Sequence, residues 1–90
     1  MIYDKNSRTA IFAPRVEEDF MKITSMTLFG QEIRRRRKEL GYTQSELSEN
    51  TGLSASFLSN LENGKETIEM GKALRITQLL GMDLFMEKRA

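Results

Sequence analysis

The chain has 90 residues, and its 14 Lys and Arg residues nearly balance its 13 Asp and Glu residues, giving a formal net charge of +1. This length allows at most one domain, and no apolar run approaches the ~20 residues that a membrane-spanning helix needs. The chain has no cysteine and no histidine, which excludes disulfides, thiolate metal sites and the commonest general base.

Residues 1–25 are predicted to be an extension outside the main domain. Residues 1–13 show no clear periodicity and are predicted to be a tail. Pro14 can open a short helix over residues 15–22, because its missing N–H costs nothing at the first helical position. A disordered arm or a leader segment is the alternative, and the pattern does not decide between them. No basic segment followed by an apolar core is present, so we expect no secretory signal and a cytoplasmic protein.

The first helix of the domain is predicted over about residues 28–40, with Thr27 as its N-cap and Gly41 as its stop. Its inward side chains, spaced as one helical face requires, are Phe29, Ile33 and Leu40. This helix also carries five consecutive basic residues, Arg34–Lys38.

The basic run concentrates positive charge on one helix, as a local patch on a nucleic-acid binder would require. Successive residues step ~100° around a helix, so the five cannot all face one ligand. Most of them are predicted to form a solvated face. One or two are expected to reach phosphate, and one to have a structural role.

The pattern of residues 43–64 predicts two short helices joined by a tight turn. Thr43 and Glu46 have the spacing of a capping box at the start of the first helix. Gly52 is placed to end that helix, and Ser54 to cap the second. This is the layout of a helix-turn-helix, whose second helix enters the major groove of DNA.

The helix-turn-helix pattern includes six residues at fixed spacing: Gln44, Leu47, Gly52, Leu53, Leu58 and Leu61. This spacing resembles that of the Cro/CI-type (XRE) family of bacterial and phage repressors. The run Leu61-Glu62-Asn63-Gly64-Lys65 is similar to the end of their recognition helix and the loop after it. The resemblance covers about residues 27–81 and implies a compact, lambda-repressor-like helical bundle. Ser48 departs from the family pattern, which usually has Ala at this position. The alternative interpretation of residues 43–64 is a plain helical hairpin.

The resemblance also implies roles for individual residues. The residues expected to read bases lie at the start of the second helix: Ser54, Ala55, Ser56, Ser59 and Asn60. The residues expected to contact phosphate are Gln44, Asn63 and Lys65. Arg37 and Glu62 are expected to form a partly buried, bidentate ion pair. Phe57 has two interpretations, contact with the DNA backbone or a thymine methyl, and half-buried packing.

The last helix is predicted from Thr67, as its N-cap, to Leu80, with Gly81 as its stop. Its apolar residues cover more than one stripe, so we expect burial on more than one face. A partner chain is one way to bury the second stripe; the domain itself or residues 1–25 are the others. Residues 82–90 alternate in polarity and predict a β-strand. A single strand leaves its ladder unpaired, so it would need the N-terminal segment or a second copy.

The run Gly41-Tyr42-Thr43-Gln44-Ser45-Glu46-Leu47, followed by Ser59-Asn60-Leu61-Glu62-Asn63, is similar to the HipB-type antitoxins. These are dimeric DNA-binding autorepressors that hold a serine/threonine kinase toxin. The resemblance implies a homodimer with paired C-terminal strands and a HipA-like kinase partner. The expected dimer interface comprises Ile76, Leu79, Leu80, Met82, Leu84 and Met86.

The sequence contains no phosphate-binding glycine loop, no Walker sequence and no metal-ligand spacing, and a nucleophilic serine would lack a histidine base. We therefore expect no enzyme activity and no cofactor. The predicted fold is all-α, a compact helical bundle with a helix-turn-helix, plus a short C-terminal β-strand. Its predicted organisation is an N-terminal extension (1–25), a helix-turn-helix DNA-binding domain (26–81) and a C-terminal dimerisation strand and tail (82–90). The predicted function is a sequence-specific repressor, dimeric on a palindromic operator and serving as the antitoxin of a HipA-like kinase. A stand-alone or phage-type repressor, or a helical interaction module without DNA binding, is the alternative.

Overall fold

The computed structural model of the chain describes residues 20–89, and within that range it contains four α-helices and no β-strand. The helices are α1 (Met26–Glu39), α2 (Gln44–Thr51), α3 (Ala55–Glu62) and α4 (Met70–Leu79). The predicted all-α bundle with a helix-turn-helix is therefore confirmed. None of these four helices is long and apolar enough to cross a membrane.

The start of α1 differs from the prediction, because Ser25 rather than Thr27 is its N-cap. The Ser25 hydroxyl accepts a hydrogen bond from the Leu28 N–H at 3.1 Å, and Ser25 has the extended backbone of an N-cap. Both serine and threonine suit this position, so composition alone could not choose between two candidates only two residues apart.

The start of α4 also differs from the prediction. Thr67 is not its N-cap but lies in a turn, in which the Ile68 N–H bonds back to the Lys65 carbonyl oxygen at 3.3 Å. The helix begins after Glu69, which makes no side-chain capping bond. A threonine with capping chemistry was present, but the turn ahead of α4 delays the helix by two residues.

Local hydrogen bonds build α2, the turn and α3 as predicted. Thr43 and Glu46 make both bonds of the capping box, at 2.8 and 3.0 Å. Gly52 ends α2 with φ 77°, a left-handed conformation that glycine adopts without a Cβ clash. The Ser54 hydroxyl accepts from the Phe57 N–H at 3.0 Å and caps α3.

The turn between α2 and α3 is held by two hydroxyls. Ser48 donates to the Leu53 carbonyl oxygen at 2.6 Å. Thr51 donates to the Leu47 carbonyl oxygen and accepts from the Leu53 N–H, at 2.7 and 3.2 Å. The serine that stands where the repressors usually have alanine thus ties the turn with a hydrogen bond that alanine could not make.

The core receives side chains from all four helices and from the turn: Phe29, Ile33, Leu47, Leu53, Leu58, Leu61, Ala73, Ile76 and Leu80. α1 packs closely on the C-terminal end of α3 at Gly30, where a Cβ would lie 2.3 Å from the Leu61 carbonyl oxygen. Leu40 was predicted to point inward but is exposed, because α1 ends there and Leu40 is its C-cap.

The C-terminal segment does not form the predicted strand. A strand needs a partner for its ladder, and within the described chain residues 82–89 pair with no other segment. Instead this segment and residues 20–26 line a shared groove of about 850 Å³ beside α1, where the Phe20 and Phe85 rings meet edge to face at 5.8 Å. Most of the helix predicted over 15–22 lies outside the described residues, and its described part, from Phe20, is not helical.

The residues predicted for a dimer interface differ in how exposed they are. Ile76 and Leu80 are 0% and 1% exposed, so they belong to the core of this chain and that part of the prediction is wrong. The domain covers only this stripe of α4, because Met70, Leu74 and Leu79 are 43%, 36% and 57% exposed. Met82 is half-buried, and the others remain exposed: Leu79, Leu84 and Met86.

Candidate nucleic-acid interface

The first two residues of α3 and its N-cap face solvent. Ala55 and Ser56 are exposed, as is the N-cap Ser54, while Ser59 and Asn60 one turn later are half-buried. Helical spacing places the four residues within α3 over about 140° of its circumference, on the side away from its buried leucines. The four predicted base-reading residues within α3 therefore share one side of the helix, and that side is most exposed at its start, next to Ser54.

Phe57 lies away from that side. It is half-buried against the core, and the Lys72 ammonium lies 5.8 Å from the centre of its ring. Of the two interpretations that the sequence allowed, the structure therefore favours packing over contact with DNA.

The loop after α3 carries Asn63 and Lys65, both exposed. Gly64 adopts φ 79°, and the N–H groups of Gly64 and Lys65 bond to the carbonyl oxygens of Leu61 and Asn60, each at 3.0 Å. These two hydrogen bonds cap the C-terminal end of α3 and hold the loop in one conformation. The Lys65 ammonium makes no ion pair within residues 20–89, so it is available to an anion.

Gln44 is the first residue of α2, where unpaired backbone N–H groups and the helix dipole favour an anion. Its side chain is half-buried, and its Nε2 donates to Glu62 Oε1 at 3.0 Å. An amide nitrogen carries two N–H groups, so one remains for a ligand. The hydrogen bond to Glu62 holds the amide in place at the helix start.

Arg37 and Glu62, for which the sequence predicted an ion pair, lie together. Arg37 Nε donates to Glu62 Oε2 at 2.7 Å and its Nη2 donates to Oε1 at 3.0 Å, a bidentate pair. The side chains are only 9% and 2% exposed. Arg37 Nη1 donates further to the Tyr42 carbonyl oxygen at 2.8 Å. The pair therefore joins α1, α3 and the segment that leads into α2.

The charged state of this pair is held by its neighbours. Burial by itself would raise the pKa of Glu62, but hydrogen bonds from Arg37 and Gln44, with the charges of Arg37 and Arg34, outweigh it and hold that pKa below its ordinary value. The hydrogen bond to Glu62 raises the pKa of Arg37 despite burial. Glu62 is therefore an anion at neutral pH and accepts from both donors.

Three contacts between distant residues had no signal in the sequence. Gln44 and Glu62 are 18 residues apart, and only the pairing of the start of α2 with the end of α3 brings them together. Arg36 Nε donates to the Leu80 carbonyl oxygen at 2.8 Å, and Arg75 donates to the Thr51 carbonyl oxygen at 2.8 Å. The last two close helix ends with a cation, the arrangement that the helix dipole favours.

The functional groups at this surface are hydroxyls, amides and the Lys65 ammonium. Residues 20–89 contain no group of three or more His, Cys, Asp or Glu side chains that could hold a metal ion. The arrangement can donate hydrogen bonds to base edges and to phosphate oxygens. Together, the fold and this surface define a helix-turn-helix domain of the DNA-binding type.

Sequence comparison agrees with that class. Residues 33–85 match the protein family described as Helix-turn-helix, and the chain belongs to this family.

Several curated relatives are transcriptional regulators or antitoxins. Antitoxin HipB of Escherichia coli K12 is 31% identical over 65 residues, which cover 72% of this chain and 74% of HipB. The regulator SinR of Bacillus subtilis is 45% identical over 40 residues, 44% of this chain and 36% of SinR. The regulator RamB of Mycobacterium tuberculosis H37Rv is 32% identical over 59 residues, 66% of this chain. The match spans only 12% of RamB.

Solved structures similar to this chain include two that contain HipB. One is described as a HipB–O4 20mer complex and the other as a HipA–HipB–O2–O3 complex. Each matches with a TM-score of 0.70 and 28% identity, covering 79% of this chain and 100% of the matched chain. This chain therefore has a HipB-like helix-turn-helix fold.

Proposed function

We propose that this chain is a sequence-specific transcriptional repressor that acts in the cytoplasm as a homodimer on a palindromic DNA operator. The observation that carries the proposal is the accessible side of α3, held in fixed relation to α2 by the Arg37–Glu62–Gln44 network. A recognition helix needs this rigidity because its side chains must meet base edges at hydrogen-bond distance.

The proposal separates reading residues from anchoring residues. The side chains of α3 would enter the major groove, where hydroxyls bond to several bases and the Asn60 amide can pair with adenine. Gln44, Asn63 and Lys65 would contact phosphates on either side of α3, since they lie at the start of α2 and in the loop after α3. Phosphate contacts position the protein, whereas base contacts specify the sequence.

The homodimer is proposed because one short recognition helix covers only a half-site, and repressors of this geometry bind two half-sites ~34 Å apart. Apolar side chains on the C-terminal part of the chain are available for the contact, since Leu79 is 57%, Phe85 67% and Met86 98% exposed. An isologous contact through this region would generate the two-fold symmetry that a palindrome requires.

The direct test is equilibrium binding of the purified chain to DNA. A binding-site selection should yield a palindromic sequence, and affinity for it should exceed that for random DNA by at least about 10³-fold at physiological salt. Affinity for both should fall as salt rises, because phosphate contacts release counterions. Equal affinity for selected and random DNA, or no binding to either, would overturn the proposal and favour an interaction module.

We further propose that the partner of the dimer is a HipA-like serine/threonine kinase toxin. The support is the similarity to proteins named antitoxin HipB and to a structure described as a HipA–HipB–O2–O3 complex. The test is co-expression with any kinase-like reading frame encoded next to this gene, followed by co-purification and a measurement of kinase activity. If no such protein co-purifies while DNA binding persists, the stand-alone repressor is the correct function.

A further inference from the structure

The five consecutive basic residues of α1 divide into two sets. Three are engaged inside the chain. Arg35 pairs with Glu32 at 3.0 Å, and Arg36 donates to the Leu80 carbonyl oxygen at 2.8 Å. Arg37 forms the buried pair with Glu62 described above. Arg36 and Arg37 therefore tie α1 to the end of α4 and to α3, whereas Arg35 is paired within α1 at its surface.

Arg34 and Lys38 form the other set. Both are exposed, and neither side chain makes an ion pair or a hydrogen bond within residues 20–89. They are four residues apart, so they lie on the same face of α1 with their Cβ atoms about 6 Å from each other. Two exposed cations at this spacing are available to an anion.

The position of that face in the fold decides which anion it meets. At one end of α1, the Thr27 backbone approaches Gly64, where a Cβ would lie only 2.8 Å from the Thr27 Cα. Gly64 immediately precedes Lys65. The N-terminal half of α1 therefore abuts the loop that carries one proposed phosphate anchor.

At the other end of α1, Arg37 contacts Glu62, which is the hydrogen-bond partner of Gln44. This end therefore lies beside the second proposed phosphate anchor. Arg34 falls between the two contacts and is close enough to Glu62 for its charge to help lower the pKa of that carboxyl. Lys38 continues the same face one turn further on.

We propose that Arg34 and Lys38 form an α1 clamp, a phosphate-binding pair that extends the DNA contact of the helix-turn-helix between Lys65 and Gln44. This inference rests on the proposed DNA-binding function. The clamp would grip the sugar–phosphate backbone beside the half-site, contribute to affinity for every sequence, and leave base preference to α3.

The experiment measures the salt dependence of DNA affinity for four full-length proteins: the wild type, Arg34→Ala, Lys38→Ala and Arg35→Ala. Fluorescence anisotropy is recorded on a selected operator duplex and on a random duplex across 50–300 mM KCl (roughly the range in which such affinities fall steeply). Arg35→Ala is the matched control, since it removes one positive charge from the same helix at a side chain that is already paired with Glu32. Thermal unfolding of each variant verifies that the fold is kept.

The clamp predicts that Arg34→Ala and Lys38→Ala each flatten the slope of log affinity against log salt by about 0.9 per monomer, with equal loss on both duplexes. Arg35→Ala should change the slope much less. If all three variants behave alike while the wild type binds its operator, the clamp is wrong and the DNA-binding function stands. If the wild type binds neither duplex, the DNA-binding function and the clamp both fall.

Discussion

Glu62 is buried, and its carboxylate accepts hydrogen bonds from Arg37 on α1 and from Gln44 on α2. A single carboxylate on α3 is thereby tied to both α1 and α2. A buried charge without a partner is costly, whereas replacing a whole buried pair by apolar groups is often close to neutral. The informative experiment therefore removes one partner at a time and compares the loss of stability with that of the double variant.

Removing both partners of the pair should destabilise the chain by less than the two single removals added together. We expect Arg37→Met and Glu62→Met each to lower the free energy of unfolding by up to ~3–5 kcal/mol. The double variant Arg37→Met/Glu62→Met should lose clearly less than the sum of the two. Urea unfolding of the three variants measures this coupling, and additive losses would contradict a buried, mutually dependent pair.

The same carboxylate predicts a dependence of stability on pH. The pKa of Glu62 is lower in the folded chain than its ordinary value of 4.5, so the unfolded chain takes up a proton first as pH falls. This contribution to stability is present above pH 4.5 and is lost progressively as pH falls through the folded pKa. Unfolding experiments from pH 7 to pH 3 should show a shallower loss for Glu62→Gln than for the wild type. Parallel curves would show that Glu62 does not titrate this way.

The helix ends that are set by residues close in sequence could be predicted. The capping box, Gly52 and Ser54 act over three or four residues, and the structure has them where the pattern placed them. The start of α1 was missed because Ser25 and Thr27 both have capping chemistry within one turn. The start of α4 was missed because the turn that contains Thr67 delays the helix until after Glu69. The predicted strand failed for a different reason: alternation permits a strand, but only a partner can pair it.

The binding surface was predictable only in part, for the same reason. The family spacing indicated Arg37 and Glu62 as partners, and the structure brings them together. It did not indicate that Gln44 joins them, because that contact requires the packing of α2 on α3. Nor could a run of five basic residues show which members were engaged. That distinction depends on where the neighbouring carboxylates and carbonyl groups lie.

Two glycine-to-alanine changes should have opposite effects on stability, because Gly30 packs closely against α3 and Gly71 has open space around it. Gly30→Ala would place a Cβ 2.3 Å from the Leu61 carbonyl oxygen, so α1 must shift and stability should fall by about 1–3 kcal/mol. Gly71→Ala in α4 meets no atom within 4 Å and should raise stability by ~0.4–1 kcal/mol through the unfolded chain. Thermal unfolding of both variants decides this, and a neutral Gly30→Ala would show that the contact between the two helices is looser than described.

For the whole molecule, the proposed dimer depends on exposed apolar residues of the C-terminal part and not on the buried part of α4. Leu84→Asp and Met86→Asp should weaken self-association while leaving the fold intact, because both side chains are exposed. Ile76→Asp would instead unfold the chain, since it is fully buried. Sedimentation should show a wild-type dimer at about 10 μM, a micromolar affinity. A wild-type monomer at that concentration would contradict the dimer.

The central claim is that α3 reads the base sequence while the residues flanking it contact phosphates. One measurement tests this claim most directly. Binding-site selection across a salt series is carried out on the wild type, Lys65→Ala and Asn60→Ala. Lys65→Ala should weaken binding to all sequences alike and flatten the salt slope by ~1 per monomer. Asn60→Ala should keep the slope and the affinity for random DNA, but change the preferred bases at a cost of ~1–3 kcal/mol on the wild-type site. Equal losses on specific and random DNA for both variants would show that α3 does not read the sequence.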